Sequence, residues 1–145
     1  MDGTVIRALD AGDIDAAVPL LSFLNPSIEP LTLRERLETI LAEHPHYHLI
    51  GALADGELVG LCGAWVATKI WCGRYLELDN LVVHPDHRSA KVGSQLIQHM
   101  EALGRKKECE ILVLDSYTSN HPSHRLYHRL GFEIWGFHFV KPLTR

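Results

Sequence analysis

The run from Arg74 to Val83 constrains this chain more than any other stretch. Its side chains alternate: Glu77, Asp79, Leu81 and Val83 share one face, and Leu76, Leu78, Asn80 and Val82 share the other. That period of two reads as a strand inside a sheet. Two carboxylates on such a strand are costly unless they are paired or functional, although a sheet face open to solvent would also accommodate them. The strand runs directly into Val83-His84-Pro85-Asp86-His87-Arg88-Ser89-Ala90-Lys91-Val92-Gly93-Ser94, a junction that starts a helix. That helix, over about Val92 to Arg105, places Val92, Leu96, Met100 and Leu103 at helical spacing. A strand feeding a helix in this way belongs to a layered α/β arrangement.

The flanking pattern agrees. Val5 to Leu9 reads as a short strand, and Asp10 to Asp13 supplies turn and cap chemistry for a helix over roughly Ile14 to Phe23. Pro19 should kink or interrupt that helix. After the proline-marked loop from Asn25 to Pro30, Thr32 with Glu35 reads as the capping box of a helix running to about Glu43. Tyr47 to Ala54 and Glu57 to Ile70 are β-like and joined at Asp55-Gly56, a strong hairpin signal. Trp71-Cys72-Gly73 turns the chain into the Arg74–Val83 strand. A strand over Glu110 to Asp115, a helix over Pro122 to Leu130 and a strand over Glu133 to Val140 complete the chain. The sum is an α/β (α+β) mixed sheet with helices on both faces.

With 145 residues and no repeat or linker, residues 1–145 read as one domain. The formal charge is −4, but its distribution is uneven. Up to Val83 there are 12 acidic and 5 basic residues; from His84 on there are 6 and 9. Nucleic-acid binders are more often basic overall, so no nucleic acid is expected as partner. The longest uncharged apolar stretch, Leu58 to Thr68, falls well short of a membrane span, so no membrane association is expected either. The start, Met1-Asp2-Gly3-Thr4, has no basic and apolar leader. Three cysteines, Cys62, Cys72 and Cys109, form no CxxC pair, which points to a reduced, cytoplasmic protein.

Three features carry chemistry. At the junction, a helix beginning near Lys91 offers backbone N–H groups and a positive dipole end beside Arg88 and Lys91, which suits phosphate. It is neither a Walker loop nor a GxGxxG turn. The second feature is Asn120 to Phe132, a helix that Gly131 is placed to close, with Ser123 and Tyr127 one turn apart. Spacing alone would make Tyr127 a packing residue with its hydroxyl at the surface. The third is the Glu77 and Asp79 pair.

Arg88-Ser89-Ala90-Lys91-Val92-Gly93 resembles the R/Q-x-x-G-x-G/A element of the GNAT superfamily of acetyl-CoA-dependent N-acetyltransferases. Asn120-x-x-Ser123-x-x-Leu126-Tyr127-x-x-x-Gly131-Phe132 resembles the family's second element, N-x-x-[AS]-x-x-[LF]-Y-x-x-x-G-F, in the right order. Lys91 departs from the pattern, standing where the first glycine usually is. The resemblance implies a single GNAT-like domain whose mostly antiparallel sheet is splayed between its central strands. It implies acetyl-CoA as co-substrate, with Leu81, Val82 and Val83 along the pantetheine arm. Arg88, Ser89, Ala90, Lys91, Val92, Gly93 and Ser94 would take the pyrophosphate, with Asn120 and Ser123 flanking the cofactor. Tyr127 would meet the departing thiolate, and Glu77 or Asp79 would take the proton of the acceptor ammonium. Glu29, between the first two helices, would face the acceptor.

The expected reaction is direct acetyl transfer to a primary amine, either a cationic small molecule or a protein amine. The alternative is a non-catalytic acyl-CoA-binding regulatory or scaffold module, which Lys91 keeps open. Metal binding through His121, His124 and His128, or through His44, His46 and His48, lacks the companion ligands a dedicated site favours, so no metal is expected. Three aromatics in Ile134 to Val140 read as core, with a homodimer adding this strand across a two-fold axis as the other reading.

Overall fold

The computed structural model describes residues 3–144, the side chains of Ser89 and Ala90 excepted. Strand β1 (Thr4–Ala8) lies antiparallel to β2 (Tyr47–Ala54), which turns into β3 (Glu57–Lys69) through Asp55 and Gly56. These two residues have φ of 51° and 80°. Consecutive left-handed residues are what a two-residue hairpin needs, so the Asp-Gly hairpin forms where it was expected. β3 pairs antiparallel with β4 (Gly73–Val83), and β4 pairs parallel with β5 (Ile111–Leu114). The sheet is mixed and mostly antiparallel, in the order β1-β2-β3-β4-β5.

Helices cover both faces of this sheet. α1 (Ile14–Leu24) and α2 (Pro30–Glu43) bury Ile14, Ala17, Leu20, Leu21, Leu33 and Leu37 in one cluster with Tyr47, Leu49, Leu61 and Val82. α3 (Val92–Lys106) buries Val92, Leu96, Ile97 and Met100 on the other face. Its close approach there depends on Gly60, where a side chain would press on Val92 and Leu96. α1 continues through Pro19 without a break. Pro19 is exposed, so water can serve the Asp15 carbonyl that loses its helical donor. α2 starts two residues before Thr32, at Pro30. A proline in the first turn is preorganised for helix and lacks only an N–H that would be unpaired anyway, so it sets the start in place of the capping box.

The chain divides into two compact units that meet in sequence between Leu114 and Asp115. The second contains α4 (His121–Arg129) and the residues after it. Glu133 to Val140, expected as a strand, forms no strand. Alternation gives a segment a strand-like face, but only a ladder partner makes it a strand. Ile134, Trp135, Phe137, Phe139 and Val140 are exposed rather than core. Among the described residues β5 is therefore the last strand, and the sheet opens at the β4–β5 pair.

Candidate active site

β4 and β5 pair over only four positions, from Tyr75 with Ile111 to Leu78 with Leu114. β4 then runs on to Val83 with β3 alone beside it. This is the expected splay. Asp79 is the first residue past the end of the β5 ladder, whereas Glu77 lies within it, between Trp65 on β3 and Val113 on β5.

The register of β3 against β4 slips at the same place. Gly63 stands opposite Asp79 but Leu61 opposite Val82, so Cys62 faces both Asn80 and Leu81. Asn80 takes a left-handed φ of 54°, a conformation asparagine tolerates better than most residues. The extra residue is a β-bulge. It corrects the sequence-based face assignment: beyond Asn80 the alternation reverses, and Val82 joins the core on the Asp79 side in place of Leu81 and Val83. The bulge also orients the backbone. His84 donates its N–H to Val59 at 2.7 Å, so the antiparallel alternation bonds Val82 to β3 and turns the N–H and C=O of Val83 away from it. Arg88 Nε donates to that outward Val83 carbonyl at 3.4 Å.

Asp79 is half-buried and held. Trp65 Nε1 donates to its Oδ2 at 3.0 Å. Tyr47 stacks edge-on against Trp65, with ring centroids 4.6 Å apart, and a side chain at Gly63 would collide with the Tyr47 hydroxyl. Burial pushes the Tyr47 phenol well above the usual tyrosine range, and the nearby Asp79 charge adds to this. Trp65 and Tyr47 escaped the sequence reading. The available signal was the requirement that an interior carboxylate have a partner, together with strand register counted back from the turn at Gly73.

The junction after β4 is a 3-10 turn, Pro85–Ala90, opened by His84, whose Nδ1 accepts from the Asp86 N–H at 3.1 Å. Lys91 then links turn and helix with φ 62°, ψ 22°. A left-handed backbone here explains why glycine suits the position and what Lys91 costs: about 1–2 kcal/mol of local strain. Helix geometry leaves the N–H groups of Val92, Gly93 and Ser94 without partners in their own helix, so the lysine leaves these donors available. The expectation for Ser89 and Ala90 concerns side chains outside the described residues.

In the second unit, Asn120 precedes α4 and is exposed, while Ser123 and Tyr127 on the helix are half-buried. Gly131, with φ 95°, closes the helix as expected. Gly131 N–H donates to the His128 carbonyl at 3.1 Å and Phe132 N–H to the Tyr127 carbonyl at 2.9 Å. That pair of bonds is a Schellman cap, and the Tyr127 and Phe132 rings, 6.0 Å apart, supply its apolar contact. Much of the spacing in Y-x-x-x-G-F is thus helix-stop chemistry. Glu29 is exposed at the start of α2. Among the described residues no group of three or more His, Cys, Asp or Glu could hold a metal ion. His124 and His128 instead meet the carbonyls of Tyr117 and Phe132.

A mixed sheet that opens beside β4, a helix start with unpaired N–H groups and a carboxylate at the opening are arranged as an acyl-CoA-dependent transferase would need them. The model of the Acetyltransferase (GNAT) family matches residues 17–132. An aminoalkylphosphonate N-acetyltransferase of Salmonella typhimurium (strain LT2) is 33% identical over 143 residues, covering 95% of this chain and 90% of that one. Among solved structures, the aminoglycoside N-acetyltransferase AAC(6')-Iy in complex with CoA superposes with a TM-score of 0.85 at 24% identity, over 97% of this chain and 95% of that one. A ribosomal-protein-alanine N-acetyltransferase from Brucella melitensis biovar Abortus 2308 gives 0.82 at 22%, over 95% and 98%. The chain belongs to the GNAT acetyltransferase family: it is an N-acetyltransferase with acetyl-CoA as co-substrate.

Proposed function

We propose that the chain moves the acetyl group from acetyl-CoA directly to a primary amine in a ternary complex, with Asp79 as general base. The observation that carries this is the position of Asp79: half-buried, one residue beyond the β5 ladder, with one oxygen bound by Trp65 and the other left to work. An ammonium with a pKa of ~10.4 is no nucleophile until it loses a proton, which Asp79 takes directly or through one water. The nitrogen attacks the thioester carbon, and the outward N–H of Val83 meets the oxyanion. The carbon–sulfur bond breaks, Tyr127 gives the thiolate its proton, and the second proton lost by the new amide nitrogen restores the tyrosine, directly or through water. Leu81, Val82 and Val83 line the pantetheine arm, Arg88 to Ser94 take the pyrophosphate, and Asn120 and Ser123 flank the cofactor. Glu77, enclosed in the ladder, shapes the field of the site and does not take the proton.

The acceptor is read as a cationic small amine. The acidic first half of the chain and exposed Glu29 support a cationic acceptor, and the aminoalkylphosphonate acetyltransferase among its relatives supports a small amine. Residues 1–145 are read as one domain, supported by a family match that runs across the boundary between the two units. Cytoplasmic residence is supported by three free cysteines, and no helix among the described residues is long and apolar enough to cross a membrane. A homodimer in which a second copy covers Ile134 to Val140 is supported by the exposure of that apolar segment. Sedimentation at micromolar concentration that finds only monomer would remove the dimer.

The deciding experiment follows free thiol with acetyl-CoA and a panel of amines. Asp79→Asn should lower kcat by about 10²-fold or more, and Glu77→Gln by only a few-fold. Equal losses, or a larger loss for Glu77→Gln, would move the base to Glu77. No thiol release with any amine would favour the non-catalytic acyl-CoA module.

A further inference from the structure

The aromatic residues beside Asp79 form a built arrangement that acetyl transfer as such does not require. Trp65 stands directly opposite Glu77 in the β3–β4 ladder, yet its indole N–H goes diagonally to Asp79. Diagonal neighbours on adjacent strands lie within reach of a long aromatic side chain, and Gly63 opposite Asp79 puts no side chain in the way. The ring is held by its neighbours. Tyr47 packs at 4.6 Å, His44 at 5.4 Å and His46 at 5.6 Å, all measured between ring centroids. Backbone bonds fix the turn that carries them: Tyr47 N–H to the His44 carbonyl at 3.0 Å and Val66 N–H to the His46 carbonyl at 3.1 Å.

An indole can only donate. Placed here it binds an oxygen of the carboxylate, fixes the Asp79 rotamer and leaves the second oxygen for a proton. We propose that Trp65 is the positioning residue for Asp79, holding its carboxylate in the orientation in which it acts as base. The inference rests on the reading of Asp79 as general base.

The test is a double-mutant cycle on the full chain with acetyl-CoA and whichever amine is turned over. Trp65→Phe keeps an aromatic ring and removes the N–H. It should lower kcat about tenfold while the KM for acetyl-CoA stays within twofold. In an Asp79→Asn background the same change should alter kcat by less than twofold, because there is no base left to position. The same fractional loss in both backgrounds would make Trp65 a packing residue and overturn the proposal, as would full activity of Trp65→Phe. If Asp79→Asn itself is fully active, the general-base reading falls and takes this one with it. Loss in Asp79→Asn with a silent Trp65→Phe sinks this one alone. Should Trp65→Phe not fold, 3-benzothienylalanine at position 65, with sulfur in place of the N–H, carries the same comparison at nearly unchanged shape.

Discussion

Up to Leu114 and from Asp115 onward, the chain obeys the same local rules with different results. In the first part, period-two runs find partners and become five strands around two buried layers of side chains. In the second, none of the described residues is buried, and an equally regular apolar run at Ile134 to Val140 stays out of any ladder. Yet the helix stop at Gly131 forms to the bond. Local backbone chemistry needs no partner, whereas strand formation does. The open part nonetheless carries the more complete of the two family elements.

Thiol chemistry tests how closed the first part is and carries the largest expected effect. Burial pushes the Cys62 thiol up to about 12, while Cys72 and Cys109 are half-buried. A raised thiol pKa means that ionisation favours the unfolded chain. The contribution is fully present below the ordinary value of 9.0 and is lost as pH rises toward 12. Cys62 should therefore react with a disulfide reagent about 10³-fold or more slowly than the other two at pH 8, through opening of the fold. Comparable rates for all three, followed by peptide mass analysis, would show that the sheet is not the closed region.

Tyr127→Phe asks whether the open part takes part in the chemistry. The ring contact with Phe132 and the cap bonds involve no hydroxyl, so the helix should keep its end and CoA binding should persist. kcat should nevertheless fall about 10²-fold, the usual yield of one proton-transfer group. An unchanged kcat would return Tyr127 to the packing role that spacing alone suggests.

Lys91 belongs to the first part and breaks its pattern. Lys91→Glu leaves the left-handed strain in place and reverses a charge where phosphate is expected. The KM for acetyl-CoA should rise about tenfold at low salt and less at 0.5 M, with kcat nearly unchanged. A salt-independent effect would mean that shape and not charge had been disturbed.

What was legible in the sequence follows the same division. The Asp55-Gly56 turn, the strands it joins, α3 and the Gly131 stop each rest on signals a few residues long, and their ends came out within a residue or two. The bulge at Asn80 was not legible, because it exists only as a slip between two strands, and it reversed the faces of Leu81, Val82 and Val83. Trp65 was missed for the same reason: its partner lies on another strand. Glu133 to Val140 was misread because alternation reports a preference for pairing and says nothing about a partner.

Gly131 gives the smallest effect and the most direct contrast with Lys91, since both residues are left-handed. A methyl at Gly131 would meet no atom within 4 Å, so Gly131→Ala isolates the backbone cost at φ 95°. That cost should be about 1 kcal/mol. It should appear as about fivefold faster hydrogen exchange of the Phe132 amide, which donates to Tyr127. Gly136 also has open space around it but no positive φ. Gly136→Ala should leave that amide alone, because it narrows only the unfolded ensemble. If both alanines speed exchange equally, the Schellman bonds are not what holds the end of α4, and the claim that local chemistry organises the open part fails at its best-defined point.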